Sequence, residues 1–207
     1  MRSADPRLES PRDRKGDYAD RLVGLQQAWW KRLLEVQRPY REHLRRLNLG
    51  FVLEVGCGIG RNLAHLGPGA AVGVDVDARA VEIARARRLV AFTPEELDAS
   101  AFAVAGRFDA LLLSHVLEHL HLGDAEALVR RYLPLLRADA RVVAITPQEA
   151  GFRSDPTHVE FMDFTRVATV LEGAGLELSE RYSFPFPRAV GRVFKYNEFV
   201  CIARKHR

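Results

Sequence analysis

At 207 residues the chain suits one domain and can bury a full core. Its formal charge of +4 is a mild basic excess, which fits an anionic cofactor or substrate and does not call for nucleic acid. Two cysteines without paired spacing exclude a disulfide framework and a cysteine metal knuckle. No run of about 18 apolar residues exists to span a membrane, and the polar N-terminus is neither secretory signal nor anchor. The chain therefore reads as a soluble cytoplasmic protein with no membrane partner.

Residues 1–16 mix charged residues, serine and proline with almost no apolar side chains, a composition expected of a disordered tail. Over 17–49 the pattern turns helical. Leu22, Leu25, Trp29, Leu33 and Leu34 recur at three- and four-residue steps, which predicts a helical lid. Pro39 is expected to break it, with a second stretch over Tyr40–Leu47 and a stop at Asn48-Leu49-Gly50. Residues 50–207 then alternate. Strands are predicted at Phe51–Val55, Ala70–Asp75, Leu89–Phe92, Phe108–Ser114, Ala140–Ile145, Leu176–Arg181 and Asn197–Arg204. Helices are predicted at Arg61–Leu66, Ala78–Arg88, Val116–Leu122, Ala125–Leu136 and Phe164–Ala174. Alternation of this kind gives an α/β fold: a single Rossmann-like domain with a mostly parallel seven-stranded sheet and helices on both faces. Ligands in such sheets collect at the strand carboxyl ends near the switch point.

The first strand runs into Glu54-Val55-Gly56-Cys57-Gly58-Ile59-Gly60. Glycines between a strand and a helix let backbone approach a ligand closely, and the following helix start favours an anionic group. The dinucleotide fingerprint G-x-G-x-x-G fails, because its third glycine would fall on Arg61. The spacing acidic-x-G-x-G-x-G resembles the first motif of the class I S-adenosylmethionine methyltransferases. Asp75 ends the second strand about 20 residues later, where a carboxylate can accept both ribose hydroxyls. The resemblance covers residues 50–204. It implies S-adenosylmethionine as cofactor and an antiparallel last strand. It also implies a binding set of Glu54, Gly56, Cys57, Gly58, Gly60, Arg61, Asp75, Val76, Thr93 and Ser114. In that set Glu54 orients the methionine end, Arg61 meets its carboxylate, and Thr93 stands where the adenine-side acid usually is.

After the fourth strand comes Ser114-His115-Val116-Leu117-Glu118-His119, and after the fifth Asp155-Pro156-Thr157-His158. Imidazoles and a carboxylate converging on one cleft suit a divalent metal. The pattern resembles the magnesium-binding motif Glu-x-x-Glu-His, with a later histidine, of small-RNA 2′-O-methyltransferases and some ubiquinone-pathway O-methyltransferases. Here His115 replaces the first glutamate. The resemblance implies magnesium or another divalent cation on His115, Glu118, His119 and His158, with His158 and His115 catalytic. His121 is expected to face solvent. An alcohol is a poor nucleophile near neutral pH, and metal and histidine both address that, so the set favours O-methylation. No Asn-Pro-Pro-Tyr signature of N-methylation follows the fourth strand.

Trp30 on the lid and Arg192, Tyr196 and Asn197 on the Pro/aromatic loop before the last strand are candidates to hold the acceptor. Trp-Trp-Lys-Arg-Leu-Leu, Val-Gly-Cys-Gly-Ile-Gly-Arg-Asn, Asp-Pro-Thr-His-Val and Tyr-Asn-Glu-Phe-Val resemble a set of small methyltransferases. That set includes the sugar 1-O-methyltransferases of methylmannose polysaccharide biosynthesis. It implies a small carbohydrate as partner, with the 1-OH of a short 3-O-methylated mannoside as acceptor. An RNA 2′-hydroxyl, or a quinone or natural-product hydroxyl, is the alternative. Whether the chain forms a homodimer is left open.

Overall fold

The computed structural model describes residues 37–205. The expected tail, the lid as far as residue 36, and Trp30 lie outside the described residues. Helix α1 (Arg38–Arg46) begins with Pro39 in its first turn. A proline is tolerated there because those N–H groups have no intrahelical partner anyway.

The elements that follow are β1 (Val52–Val55), α2 (Arg61–Leu66), β2 (Ala71–Val74), α3 (Ala78–Ala86), β3 (Ala91–Phe92), α4 (Pro94–Asp98) and β4 (Phe108–Ser114). Then come α5 (Leu122–Tyr132), β5 (Leu136–Pro147), α6 (Glu149–Phe152), α7 (Phe164–Gly173), β6 (Leu176–Phe184) and β7 (Glu198–Lys205). Single 3₁₀ turns occupy Leu117–His119, Leu133–Leu135 and Arg188–Arg192. One seven-stranded sheet has the order β3-β2-β1-β4-β5-β7-β6. β1 to β5 are parallel, and β7 lies antiparallel to both β5 and β6.

Both faces of the central strands are buried, so β1, β2 and β4 read as apolar runs whose alternate residues serve different layers. On β4, Leu111 and Leu113 pack with Val129, Val167 and Leu171 from α5 and α7. Ala110 and Leu112 pack on the other face with Leu44, Leu63 and Val81 from α1, α2 and α3. Gly73 on β2 belongs to the second face. A methyl there would sit 2.6 Å from Cys57 Sγ and 2.7 Å from Leu63 Cδ1. Gly73→Ala is expected to cost about 1–3 kcal/mol by overpacking. In a domain of this size that lowers the melting temperature by roughly 2–4 °C per kcal/mol, read by thermal melting.

Several expectations change: α6 is an unexpected helix, α5 ends at Tyr132 rather than Leu136, and β6 runs on to Phe184. Val116–Leu122 is not a helix but the single turn Leu117–His119, and α5 starts at Leu122. Leu120 stands extended at φ −123° and ψ 150°, which ends the turn after His119, and His115 at φ 59° ends the strand before it. Helix α4 was not expected, although Thr93-Pro94-Glu95-Glu96 is a capping box. The Thr93 hydroxyl accepts the Glu96 N–H, and the Thr93 N–H donates to the Glu96 carboxylate. Strand β5 extends past 140–145 in both directions. Across from Asp109 it carries extra residues, with Asp139 at φ 60°.

β1 is flanked by β2 on one side and β4 on the other, so the chain reverses its direction of sheet-building there. The carboxyl ends of β1, β2, β4 and β5 therefore open on one crevice. The antiparallel β7 brings its first residue, Glu198, to the same edge, opposite Pro147 at the end of β5.

Candidate active site

Gly56, Gly58 and Gly60 all have positive φ, at 75°, 51° and 81°. A side chain at Gly56 would strike Val116 Cγ2, and one at Gly60 would strike Leu89 Cδ1. The positive φ favours glycine at all three positions, and at Gly56 and Gly60 a side chain would also have to displace a neighbour. The loop is held from inside. The Gly56 and Cys57 N–H groups donate to the Val74 carbonyl at 2.7 and 3.0 Å. The Gly58 N–H donates to Asp75 Oδ2 at 2.7 Å. Asp75 Oδ1 accepts the Asp77 N–H at 2.9 Å. Each carboxylate oxygen keeps a second lone pair for a ligand hydroxyl. Burial raises the Asp75 pKa, against the pull of its backbone donors Asp77 and Gly58.

Glu54 is fully buried under this loop. Its Oε1 accepts from the Asn62 amide at 2.7 Å, while Oε2 has no hydrogen-bond partner among the described residues. Desolvation pushes its carboxyl up to about 8, with the Asn62 bond opposing. A buried, half-satisfied carboxylate at the loop fits an ammonium group from a ligand. Arg61, exposed at the start of α2, supplies positive charge beside it. Cys57 points away. Its thiol packs in the apolar layer against Gly73 and burial pushes it above its ordinary range, so only its backbone faces the loop. Val76 stands 73 % exposed just past Asp75, an apolar side chain in water at the expected adenosine end. Thr93 spends its hydroxyl on the α4 cap. Ser114 is buried at the end of β4 and lines a narrow pocket with Tyr40, His43, Arg61, Asn62 and Glu198.

The histidine cluster separates into two groups. Glu118, His119 and His158 come together, with one ligand-capable atom from each lying within 4.8 Å of the others. The loop carrying His158 is fixed onto the Leu117–His119 turn, because Val159 and Glu160 donate N–H bonds to the Glu118 carbonyl. His119 Nδ1 meets the Thr157 carbonyl at 3.1 Å, and His158 Nδ1 meets the Phe152 carbonyl at 2.8 Å. A carbonyl only accepts, so in the neutral rings each Nδ1 carries the proton and each Nε2 presents a lone pair. This is the outer-shell arrangement typical of metal-binding histidines. Glu118 is wholly buried, and its Oε2 has no hydrogen-bond partner among the described residues. Two imidazoles and one unsatisfied carboxylate oxygen fit a divalent cation.

His115 does not join them, which corrects the expected four-residue set. Its Nδ1 lies 3.1 Å from Glu118 Oε1 and its Nε2 2.8 Å from Glu198 Oε1. Burial works against its charge, but hydrogen bonds and charge from Glu118 and Glu198 outweigh that and push its pKa up to about 10. With a carboxylate on each nitrogen, His115 has no lone pair for a metal or for a proton, so its expected catalytic role as a base is also withdrawn. His121 is exposed, as expected, with Glu160 3.7 Å away.

Among the acceptor candidates, Asn197 is wholly buried and its amide is spent within the fold. It donates to Gln148 and the Phe186 carbonyl and accepts the Phe186 N–H. Tyr196 packs against Phe194, and its carbonyl accepts the Tyr40 hydroxyl at 2.6 Å. Arg192 is exposed, and its carbonyl accepts from Arg153. Sequence reasoning missed Tyr40, His43, Asn62 and Glu198. His43 stacks on Phe184 with ring centroids 4.0 Å apart, and its Nε2 pairs with the Tyr182 hydroxyl at 2.7 Å. Burial lowers its pKa, which favours the neutral ring. Glu198 was findable: the first residue of an antiparallel last strand must sit at the carboxyl edge of the parallel ones.

Residues 52–139 match the family model described as a methyltransferase domain. No curated protein sequence matches the chain. Several solved structures share the fold. An S-adenosylmethionine-dependent methyltransferase from Archaeoglobus fulgidus aligns with a TM-score of 0.60 and 19% identity, covering 84% of this chain and 99% of its own. The 1,6-didemethyltoxoflavin-N1-methyltransferase of Burkholderia thailandensis, solved with S-adenosylhomocysteine bound, aligns with a TM-score of 0.60 and 20% identity, over 99% and 94%. A TehB-like methyltransferase from Corynebacterium glutamicum gives a TM-score of 0.61 and 19% identity, over 94% and 99%. These likenesses show a shared fold, and the family match is to residues 52–139.

Proposed function

We propose that the protein is an S-adenosylmethionine-dependent O-methyltransferase, assisted by a divalent cation, that methylates a hydroxyl of a small sugar. The acceptor is the 1-OH of a short 3-O-methylated mannoside. The observation that carries the reading is the Glu118, His119 and His158 group on the same sheet edge as the glycine loop and Asp75. The likeness of four sequence stretches to sugar 1-O-methyltransferases supports the acceptor.

Methyl transfer from a sulfonium is an in-line displacement, so positioning carries much of the rate. Asp75 holds the ribose, Glu54 the ammonium and Arg61 the carboxylate of the methionine end. Glu118, His119 and His158 would hold the cation, which supplies acidity to a hydroxyl that is otherwise too weakly acidic to attack. One carboxylate with two imidazoles is a poor donor set for magnesium and a better one for manganese, cobalt or zinc. Val76 offers an apolar surface to the adenine. Assays with short mannosides are expected to show cation-dependent methylation. Full rates after chelation would remove the cation from the account, and inert mannosides would remove the acceptor.

Glu54 gives a pH prediction with a definite sign. In the free site its carboxyl is protonated below about 8. A bound ammonium favours the ionised form, so binding releases that proton. S-adenosylhomocysteine affinity is expected to rise as pH climbs towards about 8 and then to level off. Glu54→Gln should flatten the profile in calorimetric titrations. A wild-type affinity that falls over the same range contradicts the assignment.

A further inference from the structure

Glu118 has two oxygens with different duties. Oε1 is 3.1 Å from His115 Nδ1, while Oε2 has no hydrogen-bond partner among the described residues. The terminal torsion of a glutamate is broad, so something must decide which oxygen faces which neighbour. His115 alone would not, because an imidazole held at one nitrogen can still swing. Its second nitrogen is held 2.8 Å from Glu198 Oε1, at the far side of a rigid ring.

Glu198 is in turn fixed by the sheet. It pairs with Pro147 of β5 and Phe184 of β6, and its carbonyl accepts the Gln148 amide at 2.9 Å. The His115 N–H donates to the Ile145 carbonyl at 2.9 Å, which anchors the ring's own backbone in its left-handed conformation.

We propose that Glu198 is a positioning residue for the cation site: through His115 it holds Glu118 with one oxygen turned towards His119 and His158. The inference rests on the reading of Glu118, His119 and His158 as cation ligands. Outer-shell partners of this kind carry roughly 10–100-fold in metal affinity. Glu198 touches no ligand of the cation itself, so its effect must pass through the imidazole.

The test is Mn2+ binding, read by electron paramagnetic resonance on purified full-length protein, with melting curves to confirm folding. Wild type is expected to bind one ion, and His158→Ala to lose it. Glu198→Ala should bind about 10–100-fold more weakly. In a His115→Asn background, where the bridge is already broken, Glu198→Ala should have little further effect, as a double-mutant cycle requires of residues acting in series. If Glu198→Ala does not fold, Glu198→Gln carries the same test with a drop of roughly tenfold expected. Wild type without Mn2+ binding overturns the cation reading beneath. Wild-type affinity in the Glu198 variants, or full additivity with His115→Asn, overturns this proposal while leaving the cation reading in place.

Discussion

Asp75→Ala is expected to lose S-adenosylhomocysteine binding by roughly 10²–10⁴-fold. The carboxylate would accept two ribose hydroxyls, and a hydrogen bond to a charged group contributes about 1.5–3 kcal/mol. Two such bonds give roughly 3–6 kcal/mol, and each 1.4 kcal/mol is about tenfold. The same side chain also holds the Gly58 and Asp77 N–H groups. Removing it therefore frees the glycine loop as well as the ribose site. Asp75→Asn separates the two effects in part, because it keeps one accepting oxygen, and it should bind between wild type and alanine. Calorimetric titration on variants shown by melting to be folded decides the matter. An alanine variant that binds within threefold of wild type would remove Asp75 from the site.

His158→Ala is expected to lower turnover on a mannoside acceptor by about 100-fold or more, while affinity for S-adenosylhomocysteine stays within about twofold. His158 lies on the loop between α6 and α7, where its neighbours are His119, Phe152 and Glu118. Its Nδ1 is occupied by the Phe152 carbonyl, and its ring stacks on Phe152 with centroids 5.3 Å apart. The free Nε2 is what the substitution removes. A parallel fall in cofactor affinity would show that His158 supports the loop structurally, and the assignment would fail.

The fold was legible where periodicity and punctuation agree. β1 and β4 carry continuous apolar runs, β1 is closed by the glycine loop, and both strands appear close to their expected bounds. Asp75 and the Glu118, His119 and His158 group were legible because residues at strand carboxyl ends must share an edge. Single-residue backbone states were not legible. His115 looks in sequence like a fourth metal ligand, and nothing local reveals the left-handed backbone that aims its ring at Glu198. Pairing across 83 residues decides that orientation, and such a contact has no sequence period. Asn197 misled for a related reason. A polar residue on an aromatic loop suggests ligand contact, yet its amide closes a buried network with Gln148 that ties the ends of β5 and β7. Thr93 carried a readable signal, the capping box, that competed with its expected place beside adenine.

The Gly56–Gly60 loop with Asp75 is the proposed binding site for S-adenosylmethionine. Titrating S-adenosylhomocysteine into the wild-type protein by calorimetry tests it most directly. One site with micromolar affinity is the expected result, with a melting temperature that rises with ligand concentration. No heat and no thermal shift at millimolar ligand would contradict the account at its base.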